Sequence, residues 1–213
     1  MEKVILFDMD GVLVNTEPLH YQLWKKVFAE RGLDLSFDAY KGCIGANGKR
    51  LMELVLEHYG LDFRGDQSMF TRYYQLKEEN LRYGDIPRIE GVNDTLAQLQ
   101  SRGYRMAVAS SSTQEYIELC TDRAGIAHFF DVRFSAERVK NTKPAPDVFL
   151  AAAEKMGAAP EDCVVVEDST NGTLAAKAAG MRCIGFDNPD SAGQCLDAAD
   201  VRITSFCELL EVL

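Results

Sequence analysis

Val4-Ile5-Leu6-Phe7-Asp8-Met9-Asp10-Gly11-Val12 is the stretch whose reading decides how this chain folds. A short apolar run of this kind suits a strand buried on both faces, the usual condition of a parallel sheet covered by helices. Asp8 and Asp10 follow at i and i+2, positions that share one face of a strand. A strand running on through them would crowd two like charges together. A turn at Gly11 lets them splay around a common point instead, and two converging carboxylates need a cation or a shared proton to be tolerated. The pattern points to chemistry at a strand end.

Working outward, the next strand signal is Arg105–Ser110, followed by runs near 132–134, 163–167, 182–186 and 201–203, with Val164-Val165-Val166 the most β-rich. Helical patterns near 92–102, 113–124, 146–156 and 171–179 alternate with them, which implies a parallel sheet with helices on both faces. No strand pattern occurs between Thr16 and Ile86. That stretch has helical spacing over 17–32 (Leu19, Leu23, Trp24, Val27 and Phe28, with Gly32 as a stop), 48–59 and 67–83, and Pro87 and Gly91 punctuate its return. The expected fold is α/β: a Rossmann-like core from residues 1–14 and 89–213, interrupted by an all-helical insert over 15–88. Ligands of such sheets bind at the carboxyl ends of the strands. Three polar clusters stand there: Asp8 and Asp10, then Ser110-Ser111-Ser112, then Glu167-Asp168-Ser169.

Composition excludes several classes of function. The 213 residues carry 23 Lys+Arg against 33 Asp+Glu, a net charge of −10, which repels nucleic acid and anionic membrane surfaces. Eleven of each sign fall within 15–88, so the whole negative balance resides in the core and the neutral insert keeps cations available for an anionic substrate. There is no long apolar span, and Asp8 arrives too early for a signal peptide. The six cysteines form no Cys-x-x-Cys pair and are expected as reduced, mostly buried thiols in a cytoplasmic protein. With only three histidines a zinc site is disfavoured, and oxygen ligands favour Mg²⁺.

Lys143 sits in Asn141-Thr142-Lys143-Pro144-Ala145-Pro146-Asp147, where two prolines fix the loop, and a lysine with a hydroxyl can bind phosphoryl oxygens. Plainer roles stand beside these: a solvated loop charge for Lys143, and helix caps for Ser110, Asp168 or Ser169. Taken in order, the residues resemble the haloacid dehalogenase-like hydrolase superfamily, in its β-phosphoglucomutase-like branch with a helical cap. Asp8-Met9-Asp10-Gly11 matches the first family motif, Ser110 after Val108-Ala109 the second, Lys143-Pro144 the third and Glu167-Asp168 the fourth. The insert falls where that family places its cap.

The resemblance implies a Mg²⁺-dependent phosphatase acting on a small phosphorylated metabolite, with a sugar phosphate among the candidates. It implies Asp8 as nucleophile, Asp10 as general acid and base, and Ser110 and Lys143 as phosphoryl ligands. Mg²⁺ is then held by Asp8, the backbone carbonyl of Asp10, and Asp168, with Glu167 direct or through water. His20 and Trp24 match cap positions of β-phosphoglucomutases near the core junction, although this periodicity ordinarily faces a core. Lys77 aligns with a substrate-contacting cap lysine or is a solvated helix charge. Gly45, Asn47 and Lys49 belong to an expected specificity loop, Gly45-Ala46-Asn47-Gly48-Lys49-Arg50, whose simpler role is a turn. Ser111 joins the substrate-binding candidates beside Ser110. Gly48 replaces an arginine of the mutase pattern, which favours hydrolysis over a mutase-type isomerase reaction. A phosphoacceptor module without turnover is a third reading, opposed by chain length, motif order and the insert.

Overall fold

In the computed structural model, which describes residues 4–44, 48–191 and 193–213, the apolar run becomes β1 (Val4–Phe7) near the centre of a six-stranded sheet. The other strands are β2 (Arg105–Ser110), β3 (Val132–Ser135), β4 (Cys163–Glu167), β5 (Arg182–Phe186) and β6 (Val201–Ile203). Their order is β3-β2-β1-β4-β5-β6, and every pairing is parallel. The chain builds outward on one side of β1 and then crosses to β4 on the other, so the crevice beyond β1 and β4 is the switch point where such sheets receive ligands. Register fixes what meets there: Phe7 lies between Val108 and Val166. The residues that follow, Asp8, Ala109 and Glu167, therefore reach the same level.

The segment between β1 and β2 is helical among the described residues. It contains α1 (Glu17–Ala29), α2 (Phe37–Tyr40), α3 (Gly48–Tyr59) and α4 (Gln67–Tyr83). The first ends three residues before the expected stop, and Gly32 at φ +78° serves the turn that follows. The short α2, capped by Ser36, carries no periodic signature and was not expected. Trp24 organises this unit, stacked on Tyr73 with ring centroids 4.3 Å apart and edge-on to Phe70 at 5.6 Å. Its apolar cluster runs from Leu23 to Tyr73, whereas Leu81 and Ile86 pack into the sheet's cluster. The two connecting strands of chain are tied together by the Asn15 amide donating to the Pro87 carbonyl at 2.9 Å.

Five helices follow β1's insert: α5 (Val92–Ser101), α6 (Gln114–Arg123), α7 (Asp147–Met156), α8 (Thr170–Ala178) and α9 (Leu209–Val212). The strands alternate between two cores with the period of two that a pleated backbone imposes. Ile5, Phe7, Val164 and Val166 pack with Leu96, Ile117 and Leu209 on one face. Val4, Leu6 and Val165 pack with Phe149, Ala152 and Ala175 on the other. Each fully buried aliphatic or aromatic side chain contributes about 1.5–3 kcal/mol. Covering both faces holds the strand ends rigidly, and no helix of the described residues is long and apolar enough to cross a membrane.

Candidate active site

After β1 the chain turns tightly. The amides of Val12, Leu13 and Val14 all donate to the Met9 carbonyl, and Gly11 sits at φ +82°. A Cβ on Gly11 would collide with the Asp168 carboxylate, so close approach and backbone conformation both require glycine there. Met9 is buried, and the turn sends Asp8 and Asp10 to different partners, as the i, i+2 spacing with a following glycine predicts.

Asp8 accepts from Lys143 Nζ at 2.5 Å, and the same ammonium donates to Glu167 Oε1 at 2.8 Å. The Lys143 side chain is 7% exposed and lies 4.7 Å from the Phe149 ring centroid, so the solvated-loop reading does not hold. Burial alone would depress Lys143; the Asp8 and Glu167 carboxylates reverse that and hold it above its ordinary value. Burial raises Asp8 from 3.8 to about 7, with Lys143 opposing and Glu167 adding to the rise. Asp168 is pushed well up by burial and then by Glu167 and Asp8. One oxygen from each of Asp8, Glu167 and Asp168 lies within 4.8 Å of the others, all three residues buried. Three acids held this close, with one lysine between two of them, make a hard, all-oxygen donor set that fits a divalent cation.

Neighbouring residues hold these carboxylates in place. Ser169 caps α8 by accepting from the Gly172 amide at 3.0 Å, and its own amide donates to Glu167 Oε2 at 2.6 Å. Asp168 is therefore not the cap. Gly172 leaves room for the Glu167 carboxylate, which a Cβ there would overlap. The loop after β5 contributes Ser191, which donates to Asp168, and Asn188, which donates to the Gly11 carbonyl at 2.9 Å. Asp10 accepts from Thr16 Oγ1 at 2.7 Å and from Ser112 Oγ at 2.8 Å, with the Tyr116 hydroxyl at 3.4 Å. Ser110 is buried at the end of β2 and accepts from the Ser112 amide, while Thr113 caps α6.

Above this floor lies a cavity of about 1010 Å³ whose walls come from both halves of the chain. Asp8, Asp10, Ser110, Ser111, Lys143, Glu167 and Asp168 line it from the strand ends; His20, Lys49 and Lys77 line it from the helices. Gly45 and Asn47 lie outside the described residues. Trp24 fills the role of a core aromatic, yet His20 reaches the cavity with Nδ1 2.7 Å from the Tyr73 hydroxyl. Burial, then Lys77, lowers His20 to about 4, so the ring is neutral at physiological pH. Lys77 is half-buried over the Tyr116 ring at 3.9 Å, not a solvated helix charge.

Sequence reasoning passed over Glu17 and Tyr40, which also face the cavity. Glu-Pro at a helix start looks like ordinary N-terminal chemistry, and a single tyrosine in an unexpected helix gives no signal. Burial and then the Asp10 charge push Glu17 from 4.5 to about 7, against Lys77 and a hydrogen bond with Tyr40. Because this value is raised on folding, the protein loses stability as pH rises from about 4.5 through 7. Glu17→Gln is expected to exceed wild type at pH 8 by about 1–3 kcal/mol, after the preference of a helix N-terminus for an acid is set against it. At pH 4 the two should melt alike. Thermal melts at both pH values check this, and equal melting at pH 8 would refute the burial argument.

Comparison with known proteins adds an independent finding. A family model described as haloacid dehalogenase-like hydrolase matches residues 5–186. The chain is 34% identical over 200 residues to the fructose-1-phosphate phosphatase YqaB of Escherichia coli, covering 93% of this chain and 96% of that protein. It is 29% identical over 213 residues to the phosphorylated carbohydrates phosphatase of Thermotoga maritima, covering 99% and 98%. Among solved structures, CbbY from Rhodobacter sphaeroides in complex with xylulose-(1,5)bisphosphate superposes with a TM-score of 0.79 at 29% identity, covering 98% of this chain and 96% of that one.

Proposed function

The chain belongs to the haloacid dehalogenase-like hydrolases, and from that premise we propose that it is a Mg²⁺-dependent phosphatase hydrolysing a small phosphorylated metabolite, a sugar phosphate foremost, through a phosphoaspartate on Asp8. The observation that carries this reading is Lys143 bridging Asp8 and Glu167 at the floor of the cavity, beside the third carboxylate, Asp168. Residues 15–88 act as the cap over that floor. Asp8, Asp168 and the backbone carbonyl of Asp10 would hold the ion, with Glu167 direct or through water. When bound, Mg²⁺ supplies the charge neutralisation that lets an anionic nucleophile meet an anionic phosphoryl group.

The chain's own groups do the rest. An Asp8 carboxylate oxygen attacks phosphorus, the P–O ester bond breaks, and the leaving oxygen takes a proton from Asp10. Water then attacks the phosphoaspartate, gives a proton back to Asp10 and frees inorganic phosphate. Thr16 and Ser112 orient the Asp10 carboxyl for both transfers. Ser110 and Lys143 hold the phosphoryl oxygens where charge builds up. His20, Lys49, Lys77 and Ser111 meet the remainder of the substrate. Six cysteines held outside any disulfide, four of them buried, fit an enzyme of the reducing cytoplasm.

Isomerase chemistry of the β-phosphoglucomutase kind has less support. A Cβ at position 48 would stand 2.7 Å from Phe70 and 3.0 Å from Trp24, rings already fixed by stacking, so the mutase arginine has no room there. Phosphate release from a panel of small phosphomonoesters tests the reading. Activity should vanish with a chelator and return with Mg²⁺. Conversion of glucose 1-phosphate to glucose 6-phosphate without phosphate release would overturn it.

A further inference from the structure

Cap and core are joined by two connections, and several of their polar ties stand beside them. Asn15 donates to Asp190 at 2.6 Å, Thr16 donates to Asp10 at 2.7 Å, and Arg123 donates to the Leu81 and Gly84 carbonyls at the end of α4. Each of these involves a cap residue near one end of the insert, so it opposes a swing about the connections with only a short lever arm. Gln194, on the segment after β5, makes a tie at a different place. Its Nε2 donates at 3.3 Å to the carbonyl of Ile44, which lies between α2 and α3, well inside the cap sequence. Its Oε1 accepts at 3.0 Å from the amide of Thr170, the first residue of α8, one of the amides that a helix leaves without an internal partner. The Cys195 amide donates to Thr170 Oγ1 at 2.7 Å and fixes the same segment to the helix a second time. Gln194 and Ile44 both line the cavity, so the bridge is part of its wall. The cap end is the longer and weaker contact, and Gln194 therefore stays with the core when the cap swings.

We propose that Gln194 is a positioning residue for the reaction, a latch anchored on α8 that holds the cap over Asp8 through the Ile44 carbonyl, a role that rests on the phosphatase reading above. Gln194 takes no part in the bond changes at phosphorus and acts through the cap. With the latch made, the side chains of α1 and α4 that line the cavity stand opposite the strand ends and water is kept from the site; with it broken, they stand away from it. The same segment holds the floor, because Ser191 donates to Asp168 and Asn188 donates to the Gly11 carbonyl. One stretch of chain thus grips both the acids and the cap. Capping α8 uses the Gln194 oxygen alone, whereas the partner of its nitrogen belongs to the cap.

Gln194→Glu and Gln194→Met separate the two ends of the bridge. Glutamate keeps an oxygen for the Thr170 amide, where a helix N-terminus favours an acid, but sets a carboxylate oxygen against the Ile44 carbonyl. Methionine removes both ends. Trp24, the single tryptophan of the chain, lines the cavity from the cap, so quenching of its fluorescence by neutral acrylamide reads how far the cap stands open in the free enzyme. Loss of one neutral hydrogen bond shifts such an equilibrium by about 2–10-fold, and the quenching slope is expected to rise in both variants. Gln194→Glu should meanwhile melt within about 4 °C of wild type. With p-nitrophenyl phosphate and Mg²⁺, kcat/KM of Gln194→Met should fall by about 2–10-fold, carried mainly by KM, because an ester bound between both walls restores the closed arrangement. A residue that only caps α8 would leave the Gln194→Glu slope at the wild-type value, and that result overturns the proposal, as does an unchanged slope in both variants. A risen slope in a Gln194→Glu protein that melts more than about 4 °C lower would mean a loosened fold and overturn it too. Quenching is read without metal or ester, so hydrolysis of no phosphomonoester by wild type would overturn the phosphatase reading while the slopes still decide the latch.

Discussion

Asp8→Asn will yield a folded protein whose phosphate release falls by about 10⁴-fold or more, the scale on which loss of a catalytic nucleophile is felt. The amide is isosteric with the carboxylate, and the backbone around it is held by the Asp8 amide donating to the Val166 carbonyl at 3.0 Å. Lys143 keeps Glu167 as a partner, so the substitution does not strand the ammonium. Chemistry fails because the amide is too weak a nucleophile to form the acyl phosphate that water later cleaves. The variant also removes one of three clustered acids, and Mg²⁺ should therefore raise its melting temperature less than it raises that of wild type. Steady-state assays and metal-dependent melts check the two halves separately. Residual turnover within tenfold of wild type would exclude Asp8 as nucleophile.

Lys143→Met is the second large effect, and it couples activity to stability. The substitution preserves length and apolar stem while deleting the charge that lies between Asp8 and Glu167 at 2.5 and 2.8 Å. Removing one partner of a buried ion pair costs about 3–5 kcal/mol, because the remaining charge stays buried without compensation. Two carboxylates are left here, so the upper end is expected, or roughly 10 °C of melting temperature in a chain this long. Phosphoryl oxygens lose their ammonium as well, and activity should fall by about 10²–10³-fold even where the protein is folded. Mg²⁺ supplies part of the missing positive charge, so the melting deficit should shrink as Mg²⁺ is added. A deficit that ignores the ion would mean that the lost stability comes from packing against Phe149 and not from charge.

These two residues were legible in the sequence because local rules single them out. A buried strand cannot end in Asp-x-Asp without a cation or a shared proton, and a lysine directly before two prolines in a short loop has few ways to move. The same logic located Glu167-Asp168 after the valine run of β4 and Ser110 at the end of β2. What escaped were partners that only the tertiary fold supplies. Ser112 is 102 residues from Asp10, and Asn188 is 177 residues from Gly11; no spacing announces either pair. Glu17 was hidden by a plausible local role at a helix start. Lys77 was undervalued because its neighbours in sequence are polar, whereas the ring that covers it belongs to α6. Among the described residues, periodicity found four of the five α-helices before β2 and missed α2, whose four residues are too few to show a repeat.

The placement of cavity walls has a consequence for divergence. Asp8, Asp10, Ser110, Glu167 and Asp168 come from the ends of parallel strands, whose positions are locked by pairing and by two apolar cores, and Lys143 reaches them from the loop before α7. Glu17, His20, Tyr40, Lys49 and Lys77, which also line the cavity, come from α1, α2, α3 and α4, which share a separate aromatic core built on Trp24. Substitutions in the second set can be sampled without disturbing the first. A library confined to positions 49 and 77, neither of them fully buried, should therefore yield altered ester preferences with the strand-end groups left in place, making this chain a tractable starting point for evolving new phosphatases.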